Sequence, residues 1–420
     1  MKRVLIVSYF FPPSTNMGSH RMLRFVRHLR QFGWEPVVLT TDFKGGTLVD
    51  EQLLAHVPKD IEVHRIRGVD LTELWHAGRK PAAAKHGTAP VRSQGLTTFL
   101  NRWVMIPDKF FPWIRPAASF ASKLKFDAIY STSDPLSDHL VARRVSRRTG
   151  VPFVAEFRDL WLGSPYFARA HPTPLHRVVH ARLERQVMKS AAAVVGLSRG
   201  IQQYFADAYP ACPSQVIYNC FDPEEYPLPA PASDAFTILY AGALYSSRSP
   251  EPFLAGFSQF LQKHRLTPSD AKFIIAGGSS DLDLQAMICQ QNVEPFVELL
   301  GRLPHREALG RMQSATALLT IQSPEDDVHV PGKLFEYIGA RRPIFAISQP
   351  CEVADMVARH QLGWVAEPEP TAIAVKLDEL YAAWKTRGHA ALAVAAADRF
   401  SVRETTRQLA ALLDEVAVAR

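Results

Sequence analysis

Short apolar runs rich in β-branched residues alternate with longer amphipathic stretches along most of the sequence, in two successive series. Such alternation is typical of βαβ units, whose strands form parallel sheets covered by helices. The first series lies at residues 4–8, 36–41, 61–66, 127–131, 152–157 and 193–198, and the second at 237–240, 272–276, 297–300, 317–321, 343–347 and 363–366. The pattern predicts an α/β fold with two Rossmann-like domains in tandem.

The segment between the two series, residues 221–236, is rich in proline. This composition suits a semi-rigid connector better than a helix or strand. We therefore expect an N-terminal domain over residues 1–220, a linker over 221–236 and a C-terminal domain over 237–385. Apolar residues near the helical period over 401–416 predict a helix in the remaining segment, 386–420, which would cap the second domain or return to the first.

The charge and cysteine content exclude several classes of protein. A net charge of +7 would suit nucleic acid, anionic lipid or a phosphorylated ligand. The basic residues are dispersed, however, and no helix-turn-helix, RNA-recognition or zinc-finger pattern is present, which argues against a nucleic-acid partner. The four cysteines form no C-x-x-C pair, so neither a disulfide framework nor a metal site is predicted, and a cytoplasmic location is favoured.

A basic and aromatic segment raises the question of membrane contact. Residues 76–98 contain basic residues and no acid, and residues 99–113 interleave aromatic with basic side chains. No run reaches the roughly 20 apolar residues of a spanning helix, so any contact with the inner face of the membrane would be peripheral. One interpretation places Trp103 and Trp113 at a membrane interface or greasy acceptor site; the other makes the rings ordinary core aromatics.

The first predicted strand leads through Gly18 into an amphipathic stretch over residues 21–30. A glycine between a strand and a helix lets the backbone approach a ligand, and the helix N–H groups then point at that ligand. A dinucleotide fingerprint would need G-x-G-x-x-G at this place, and only one glycine is present. This weakens a dehydrogenase interpretation, and Gly18 fits a ligand contact and a turn requirement equally well.

In the second series, a strand at residues 317–321 precedes P-G-K-L-F-E-Y-I-G at residues 331–339. The pattern predicts a short helix with Pro331 at its first position. A helix N-terminus at the carboxyl edge of a parallel sheet offers N–H donors and a positive dipole end to a diphosphate. Lys333 opposes that dipole, which an anionic ligand would explain. Glu336 lies one turn further on, where its carboxylate could accept hydrogen bonds from two ribose hydroxyls.

The segment P-G-K-L-F-E-Y-I-G-A-R-R-P-I, residues 331–344, resembles the donor-binding segment of family 4 retaining glycosyltransferases, including those that build bacterial cell-surface polysaccharides. Further motifs agree in order: F-P-P and G-S-H-R within residues 11–21, E-F-R-D-L-W at 156–161, L-S-R-G-I at 197–201, V-I-Y-N-C-F-D at 216–222 and Y-A-G-A-L-Y-S-S-R at 240–248. The resemblance spans nearly the whole chain. It implies the GT-B fold, in which two Rossmann-like domains with parallel sheets face a central cleft.

The resemblance also implies a function. The chain would be a hexosyltransferase-like enzyme that moves a sugar from a nucleotide diphosphate sugar to a hydroxyl of a glycan or lipid-linked acceptor, in cell-envelope synthesis such as that of lipopolysaccharide or exopolysaccharide. No cofactor or metal is implied. Arg248, Lys333 and Glu336 would form the catalytic set, with the two cations stabilising the departing diphosphate. Donor binding would involve Gly18, Gly242, Arg248, Gly332, Lys333, Leu334 and Glu336, and acceptor binding His20, Arg21, Arg158 and Asp159.

Two positions depart from the family pattern. Family members usually carry a pair of glutamates separated by seven residues; Val328 stands at the first position, with Glu325, Asp326 and Asp327 just upstream. Arg158–Asp159 stands where many relatives have a histidine and an aspartate, and a buried ion pair between the two is an alternative to an acceptor role. Two other functions stay open: a nucleotide-sugar epimerase of the same fold, and a non-catalytic nucleotide-sugar-binding subunit.

Overall fold

The computed structural model describes residues 1–42, 49–68, 106–164, 167, 173–227, 233–279, 281–323, 328–394 and 397–418. Several residues named above lie outside this part of the chain: the basic stretch 76–98, Trp103, Glu325, Asp326 and Asp327. The chain divides into two compact units, Met1–Ile217 with Thr406–Arg420, and Tyr218–Thr405. They are called the N-terminal and the C-terminal domain below.

The N-terminal domain is built on a parallel sheet. Its strands are β1 (Lys2–Val7), β2 (Trp34–Thr41), β3 (Glu62–Ile66), β4 (Ala128–Thr132), β5 (Phe153–Phe157), β6 (Ala193–Gly196) and β7 (Ser214–Val216). Their order in the sheet is β3-β2-β1-β4-β5-β6-β7. In register, Leu5 of β1 lies beside Val37 of β2 and Ile129 of β4. The inner strands are buried on both faces, which explains why they read as continuous apolar runs.

The helices in the described part of this domain are α1 (Met17–His28), α2 (Ile114–Ala121), α3 (Ser137–Thr149), α4 (Pro174–Met188) and α5 (Arg199–Ala208). Helix α1 begins four residues before the predicted start. Asn16 is its N-cap, and the Asn16 side-chain oxygen accepts a hydrogen bond of 2.9 Å from the Gly18 N–H. Gly18 therefore lies in the first turn of the helix and not in the loop before it.

The C-terminal domain has a second parallel sheet. Its strands are β8 (Phe236–Ala241), β9 (Ala271–Ala276), β10 (Val297–Leu299), β11 (Ala317–Ile321), β12 (Ile344–Ile347) and β13 (Gly363–Ala366), in the order β10-β9-β8-β11-β12-β13. Helices α6 (Glu251–His264), α7 (Leu284–Gln290), α8 (His305–Ser314), α9 (Gly332–Gly339), α10 (Glu352–Arg359) and α11 (Pro370–Ala391) complete it, the last one interrupted at Gly388.

Two apolar cores lie on opposite faces of this sheet. Along β8, Ile238 and Tyr240 contribute to a core that includes α6, whereas Leu239 and Ala241 contribute to the core that includes Phe335 of α9. Successive side chains of a strand point to opposite faces, so this alternation follows from β geometry. Helix α9 is thereby fixed against the sheet by its apolar side, which leaves its first turn at the carboxyl edge of β11.

The last helix, α12 (Val402–Val418), begins in one domain and ends in the other. The Val402 N–H donates to the Phe221 carbonyl at 2.8 Å, whereas Leu409 and Leu413 are fully buried in the core of the N-terminal sheet beside Val4. Within the described residues, no helix has the length and apolar character needed to cross a membrane.

The predicted fold class is confirmed: two α/β domains with parallel sheets, which have seven and six strands within the described residues. Each strand expected from the sequence is present, with ends shifted by two residues at most. Strand β7 was not predicted, because it has only three residues, Ser-Gln-Val, and each is half-buried. Such a strand carries neither a continuous apolar run nor a clear alternation.

Candidate functional site

Both sheets reverse their strand order at one point, between β1 and β4 in the N-terminal domain and between β8 and β11 in the C-terminal domain. In open α/β sheets, ligands bind outside the carboxyl ends of the strands at such switch points. The segment after β1 leads to Gly18, the segment after β8 contains Gly242, and the segment after β11 leads to Lys333. The predicted site residues therefore follow the strands at which a ligand is expected.

Two glycines, Gly242 and Gly277, let the segments after β8 and β9 lie close together. The Gly242 N–H donates to the Ala276 carbonyl at 2.9 Å, and a Cβ placed on Gly277 would overlap the Gly242 carbonyl oxygen. Gly242 itself has φ +119°, a conformation that disfavours any other residue. A Cβ there would lie 3.7 Å from the Lys333 ammonium, so the glycine keeps the space beside this cation open.

Lys333 is a half-buried cation in the first turn of α9. Its Nζ lies 3.7 Å from the centroid of the Tyr240 ring. Burial lowers the pKa of Lys333 well below its ordinary value of 10.5, and the positive charge of Arg248 lowers it further, against a smaller opposing effect of Glu336. No carboxylate of the described residues forms an ion pair with Lys333. The site therefore holds a cation whose charge an anionic ligand would stabilise.

Arg248 ends a short 3-10 turn, Ser246–Arg248, that is anchored to Asp281. The backbone N–H and the hydroxyl of Ser246 donate to the Asp281 carboxylate at 3.0 and 2.9 Å, and these hydrogen bonds lower the pKa of that carboxyl. The anchored turn keeps Arg248 close enough to Lys333 for the two positive charges to interact. We call Gly242, Arg248, Lys333 and Glu336 the donor cluster.

Helix α9 places the remaining donor candidates. Pro331 is the N-cap and Gly332 the first helical residue, one position later than predicted. The Leu334 side chain is fully buried and its N–H donates to the Pro331 carbonyl at 3.0 Å, so its placement does not support a donor contact. Glu336 is 19% exposed in its side chain, and its Oε1 lies 4.0 Å from Nδ1 of His305. Val328 is half-buried.

Two tyrosines that the sequence analysis did not single out connect α9 with the strand ends. The Tyr337 hydroxyl accepts a hydrogen bond from the Ala241 N–H at 2.9 Å and donates to the Leu319 carbonyl at 3.1 Å. The Tyr240 hydroxyl donates to the Ala243 carbonyl at 2.9 Å, and burial raises the pKa of Tyr240 to about 12. Tyr337 lies next to Glu336 in the 331–344 segment, and Tyr240 begins the 240–248 motif that ends at Arg248.

In the N-terminal domain, Arg158 and Gly18 are brought together. A Cβ on Gly18 would lie 2.8 Å from Cζ of Arg158, so a larger residue there would displace this guanidinium. Arg158 donates through Nε to the Ser133 carbonyl, and one of its terminal nitrogens donates to the Asp134 carbonyl at 3.2 Å. The Arg158 guanidinium thus donates to backbone carbonyls. The buried ion pair with Asp159, the alternative to an acceptor role, is not formed.

Asp134, which follows β4, is an acidic residue that the sequence analysis missed. Its pKa is raised to about 6, first by desolvation from the surrounding protein and then by the negative charges of Asp159 and Asp108, while Arg158 acts in the opposite direction. Its position directly after a strand at the switch point was the available signal. Asp134 therefore joins Arg158 and Asp159 as a candidate for contact with an acceptor.

Arg21 does not have the placement expected for an acceptor contact. Its side chain is 2% exposed, and its Nε and one terminal nitrogen donate to Oε2 of the fully buried Glu156 at 2.9 and 2.7 Å. The same terminal nitrogen donates to the Ile217 carbonyl at 3.0 Å, and the hydroxyls of Tyr130 and Thr132 also donate to Glu156. Arg21 is thus committed to an interior ion pair. His20, one residue earlier, is half-buried in the first turn of α1.

The loop that carries Arg158 and Asp159 is braced by α4. Trp161 Nε1 donates to His180 Nδ1 at 3.0 Å, and the Leu162 N–H donates to the Glu184 carboxylate at 3.3 Å. The Tyr209 hydroxyl donates to the other oxygen of Glu184 at 2.7 Å. Burial raises the pKa of Glu184.

In the described part of the chain, no group of three or more His, Cys, Asp or Glu side chains is placed to hold a metal ion.

In the described part of the aromatic segment, burial varies: Lys109 is exposed and Phe110 and Phe111 are half-buried. Trp113 is fully buried, and the Phe110 ring lies 4.3 Å from the Tyr9 ring between centroids. The Tyr9 and Trp113 rings are in edge contact at 5.3 Å. Trp113 is therefore a core aromatic, in line with the second interpretation, whereas Trp103 lies outside the described residues.

Residues 18–220 match the family described as "Glycosyl transferase 4-like domain", and residues 235–383 match "Glycosyl transferases group 1". The chain is composed of two glycosyltransferase domains. No curated protein sequence matches this glycosyltransferase significantly.

Solved structures share the fold of this glycosyltransferase at low sequence identity. Anabaena HepE in complex with UDP and glucose has 15% identity and a TM-score of 0.62, with 99% of this chain and 100% of that chain covered. The lipopolysaccharide outer core galactosyltransferase WaaB has 16% identity and a TM-score of 0.57, with the same coverage. A putative UDP-N-acetylglucosamine 2-epimerase from Listeria monocytogenes has 11% identity and a TM-score of 0.60, covering 100% and 97%. The architecture is GT-B, which transferases and epimerases share.

Proposed function

We propose that this protein is a retaining glycosyltransferase that moves a sugar from a nucleotide diphosphate sugar to an acceptor hydroxyl, with the donor cluster as its donor site. The observation that carries the proposal is the environment of Lys333. This half-buried lysine is close enough to Arg248 for the two positive charges to interact, and no carboxylate of the described residues forms an ion pair with Lys333 itself. Both side chains follow strands at a switch point of the sheet.

The geometry of the donor cluster suits a diphosphate. The first turn of α9 supplies N–H groups and the positive end of the helix dipole, and Lys333 and Arg248 add two charges. Negative charge develops on the departing phosphate as the glycosidic bond breaks, so these groups would stabilise the transition state more than the ground state. The leaving phosphate can take the acceptor proton, and this mechanism needs no protein base. Retention of configuration rests on the family resemblance.

Substitutions in the donor cluster test the proposal. Lys333→Ala should lower turnover on the order of 10²-fold to 10³-fold, by analogy with the loss of an oxyanion donor. Glu336→Ala should weaken nucleotide binding. UDP-sugars are the first donors to assay, because HepE was solved with UDP and glucose. Lys272→Ala and Glu298→Ala, at exposed positions of β9 and β10, are matched controls. Unchanged donor affinity and turnover in both cluster variants would show that the site is assigned wrongly.

An epimerase remains the second candidate because of the shared fold with the Listeria protein. The two activities differ in product. A transferase incubated with radiolabelled nucleotide sugars and a lipid extract gives labelled glycolipid, whereas an epimerase gives an isomeric sugar without an acceptor. Donor binding with neither product would indicate a non-catalytic subunit, which Val328 at the first glutamate position would suit.

For the acceptor, we propose a lipid-linked glycan reached from the inner face of a membrane. The support is an arginine face on α2 and α3, formed by Arg115, Arg143, Arg144, Arg147 and Arg148. Burial lowers the pKa of Arg144, and the positive charges of Arg115 and Arg148 lower it further. None of these five forms a salt bridge with a carboxylate of the described residues. An anionic lipid surface would attract such a face by about 1 kcal/mol per arginine near the surface.

Vesicle sedimentation tests the membrane proposal. The protein should sediment with anionic vesicles and not with neutral ones, and Arg147→Gln with Arg148→Gln should weaken this about tenfold or more. The pair Lys272→Gln with Arg306→Gln removes two exposed charges from the C-terminal domain and should have little effect. Equal loss in both pairs would mean that net charge, and not the arginine face, determines vesicle binding.

A further inference from the structure

Two residues from outside the donor segment contact Glu336, Tyr226 at its backbone carbonyl and His305 at its carboxylate. We infer that both are positioning residues that let this glutamate discriminate the nucleotide ribose. The inference rests on the proposed function, in which Glu336 binds the ribose hydroxyls. Neither residue belongs to the motifs that carry the family resemblance. Both lie in the C-terminal domain.

Tyr226 fixes the backbone at Glu336. Its hydroxyl donates to the Glu336 carbonyl at 2.7 Å, and the same carbonyl accepts the helical hydrogen bond from the Ala340 N–H at 2.9 Å. A carbonyl oxygen has two lone pairs, so both bonds can form together. With its carbonyl held from two directions, Glu336 has a fixed Cα–Cβ direction at the exposed side of α9.

The slot for Tyr226 is made by Gly339. A Cβ on Gly339 would overlap the Tyr226 hydroxyl, and it would lie 2.6 Å from Tyr226 Cζ and 2.7 Å from Phe221 Cβ. The rings of Phe221 and Tyr226 are in edge contact, with centroids 6.3 Å apart. The last turn of α9 and the segment after β7 are therefore packed so closely that the tyrosine cannot move away without opening the contact.

His305 lies between two carboxylates. Its Nε2 is 3.4 Å from Oε2 of Glu225, and its Nδ1 is 4.0 Å from Oε1 of Glu336. The glutamate side chains are 20% and 19% exposed and the imidazole is 42% exposed, so solvent reaches the histidine more than the two carboxylates. Glu225 can orient the imidazole, and the imidazole then faces the Glu336 carboxylate from one side. At 4.0 Å this contact is too long for a hydrogen bond, so it favours one orientation of the Glu336 carboxylate and leaves both oxygens for ligand hydroxyls.

A carboxylate that accepts two hydroxyl hydrogen bonds must be held in one orientation, because both bonds depend on the same plane. Loss of that orientation should weaken recognition of the ribose while Lys333 and Arg248 still bind the diphosphate. The measurable quantity is therefore a ratio of affinities, for a nucleoside diphosphate and for its analogue without ribose hydroxyls. A general loss of stability would change both affinities alike.

The test compares UDP with 2′,3′-dideoxy-UDP by titration calorimetry, with ADP and its dideoxy analogue in parallel. The wild-type protein should prefer the ribonucleotide by about tenfold or more, as expected for hydrogen bonds to a charged group. Glu336→Gln should remove most of this preference, and Tyr226→Phe and His305→Gln should each reduce it by about threefold or more. Binding of the dideoxy analogue should be nearly unchanged in the last two variants.

Matched controls make the same chemical changes elsewhere. Tyr209→Phe removes a hydroxyl that donates to Glu184 at 2.7 Å, and His264→Gln removes an imidazole that lies 2.8 Å from Asp378. Neither control should change the ratio. Unfolding midpoints of all variants are measured together. If Tyr226→Phe has a much lower midpoint than Tyr209→Phe, the affinity ratio in His305→Gln decides whether the positioning role holds.

The outcomes separate the inference from the proposed function. If the wild type binds neither nucleotide, the proposed donor site fails. If it binds both members of each nucleotide pair equally, Glu336 does not bind the ribose, and the positioning role fails while the diphosphate site stands. If the wild type discriminates and Glu336→Gln does not, but Tyr226→Phe and His305→Gln retain the full ratio, the donor site stands and the positioning role is wrong.

Discussion

The ammonium group of Lys333 lies 3.7 Å from the centroid of the Tyr240 ring, on the carboxyl side of β8. The attraction between a cation and an aromatic face offsets part of the cost of removing the ammonium from water. It does not offset all of it, since burial and Arg248 still lower the pKa of Lys333 well below 10.5. Without a ligand, the positive charges of Lys333 and Arg248 are therefore unfavourable for each other, and a bound anion would stabilise both.

Lys333→Met should therefore stabilise the ligand-free protein and abolish its stabilisation by nucleotide. Removing an unfavourable cation is expected to raise the unfolding midpoint by about 2–4 °C, the shift per kcal/mol for a domain of this size. At pH values below 10.5 and above the lowered pKa of the folded state, the unfolded chain binds one more proton at this lysine than the folded chain. Wild-type stability should thus rise with pH through this window and approach that of the variant.

The measurement is thermal denaturation of both proteins with and without UDP, repeated up to pH 10.5. Lys272→Met, at an exposed position, serves as the control. A variant that is less stable than wild type at neutral pH would contradict the electrostatic argument.

The ion pair of Arg21 and Glu156 should contribute to folding of the N-terminal domain. Arg21→Met leaves a buried carboxylate with only hydroxyl donors, and such uncompensated charges cost about 3–5 kcal/mol. Adding Glu156→Gln removes that charge, so the double variant should be less destabilised than the sum of both changes. Urea denaturation of the four proteins checks this. Strict additivity would mean that the pair does not couple, and donor binding should be unchanged throughout.

Gly18→Ala should affect activity more than stability. The new Cβ would lie 2.8 Å from Cζ of Arg158, but the far end of an arginine can shift at little cost to the fold. The shift would break the hydrogen bonds of Arg158 to the Ser133 and Asp134 carbonyls. We expect an unfolding free energy within about 1 kcal/mol of wild type. Steady-state kinetics should show a raised KM for the acceptor, and an unchanged acceptor KM would exclude Arg158 from that site.

Asp134 should give the protein a pH-dependent stability on the acid side. Desolvation and the charge of Asp159 raise its pKa from 3.8 to about 6, so between these values the folded chain binds more protons than the unfolded one. Stability contributed by this group therefore falls as pH rises through that range. Asp134→Asn should lack the fall. Unfolding midpoints of both proteins across the range measure the difference, and parallel curves would show that another group titrates.

The sequence predicted the architecture well for a physical reason. Inner strands of parallel sheets are buried on both faces, so β1, β2, β11 and β12 appear as apolar runs. The short length of these runs distinguishes them from helices. The start of α1 was misplaced because Asn16, a good N-cap, was not used as a helix start signal.

Prediction of the site was less complete. Lys333 and Glu336 lie on one short helix, so local spacing places them together. Tyr226 contacts the Glu336 carbonyl across 110 residues of sequence, and no local pattern indicates such a contact. The burial of Arg21 was not predicted because charge suggests exposure, whereas its partner Glu156 lies 135 residues away in a buried strand.

Helix α12 has a consequence for biosynthesis. Its residues Leu409 and Leu413 are part of the N-terminal core, yet they leave the ribosome after the whole of the C-terminal domain. Domains usually fold in the order of their synthesis. Here the first domain to emerge is the last to be completed. The part of its apolar core that α12 covers stays exposed until translation of the C-terminal domain is finished.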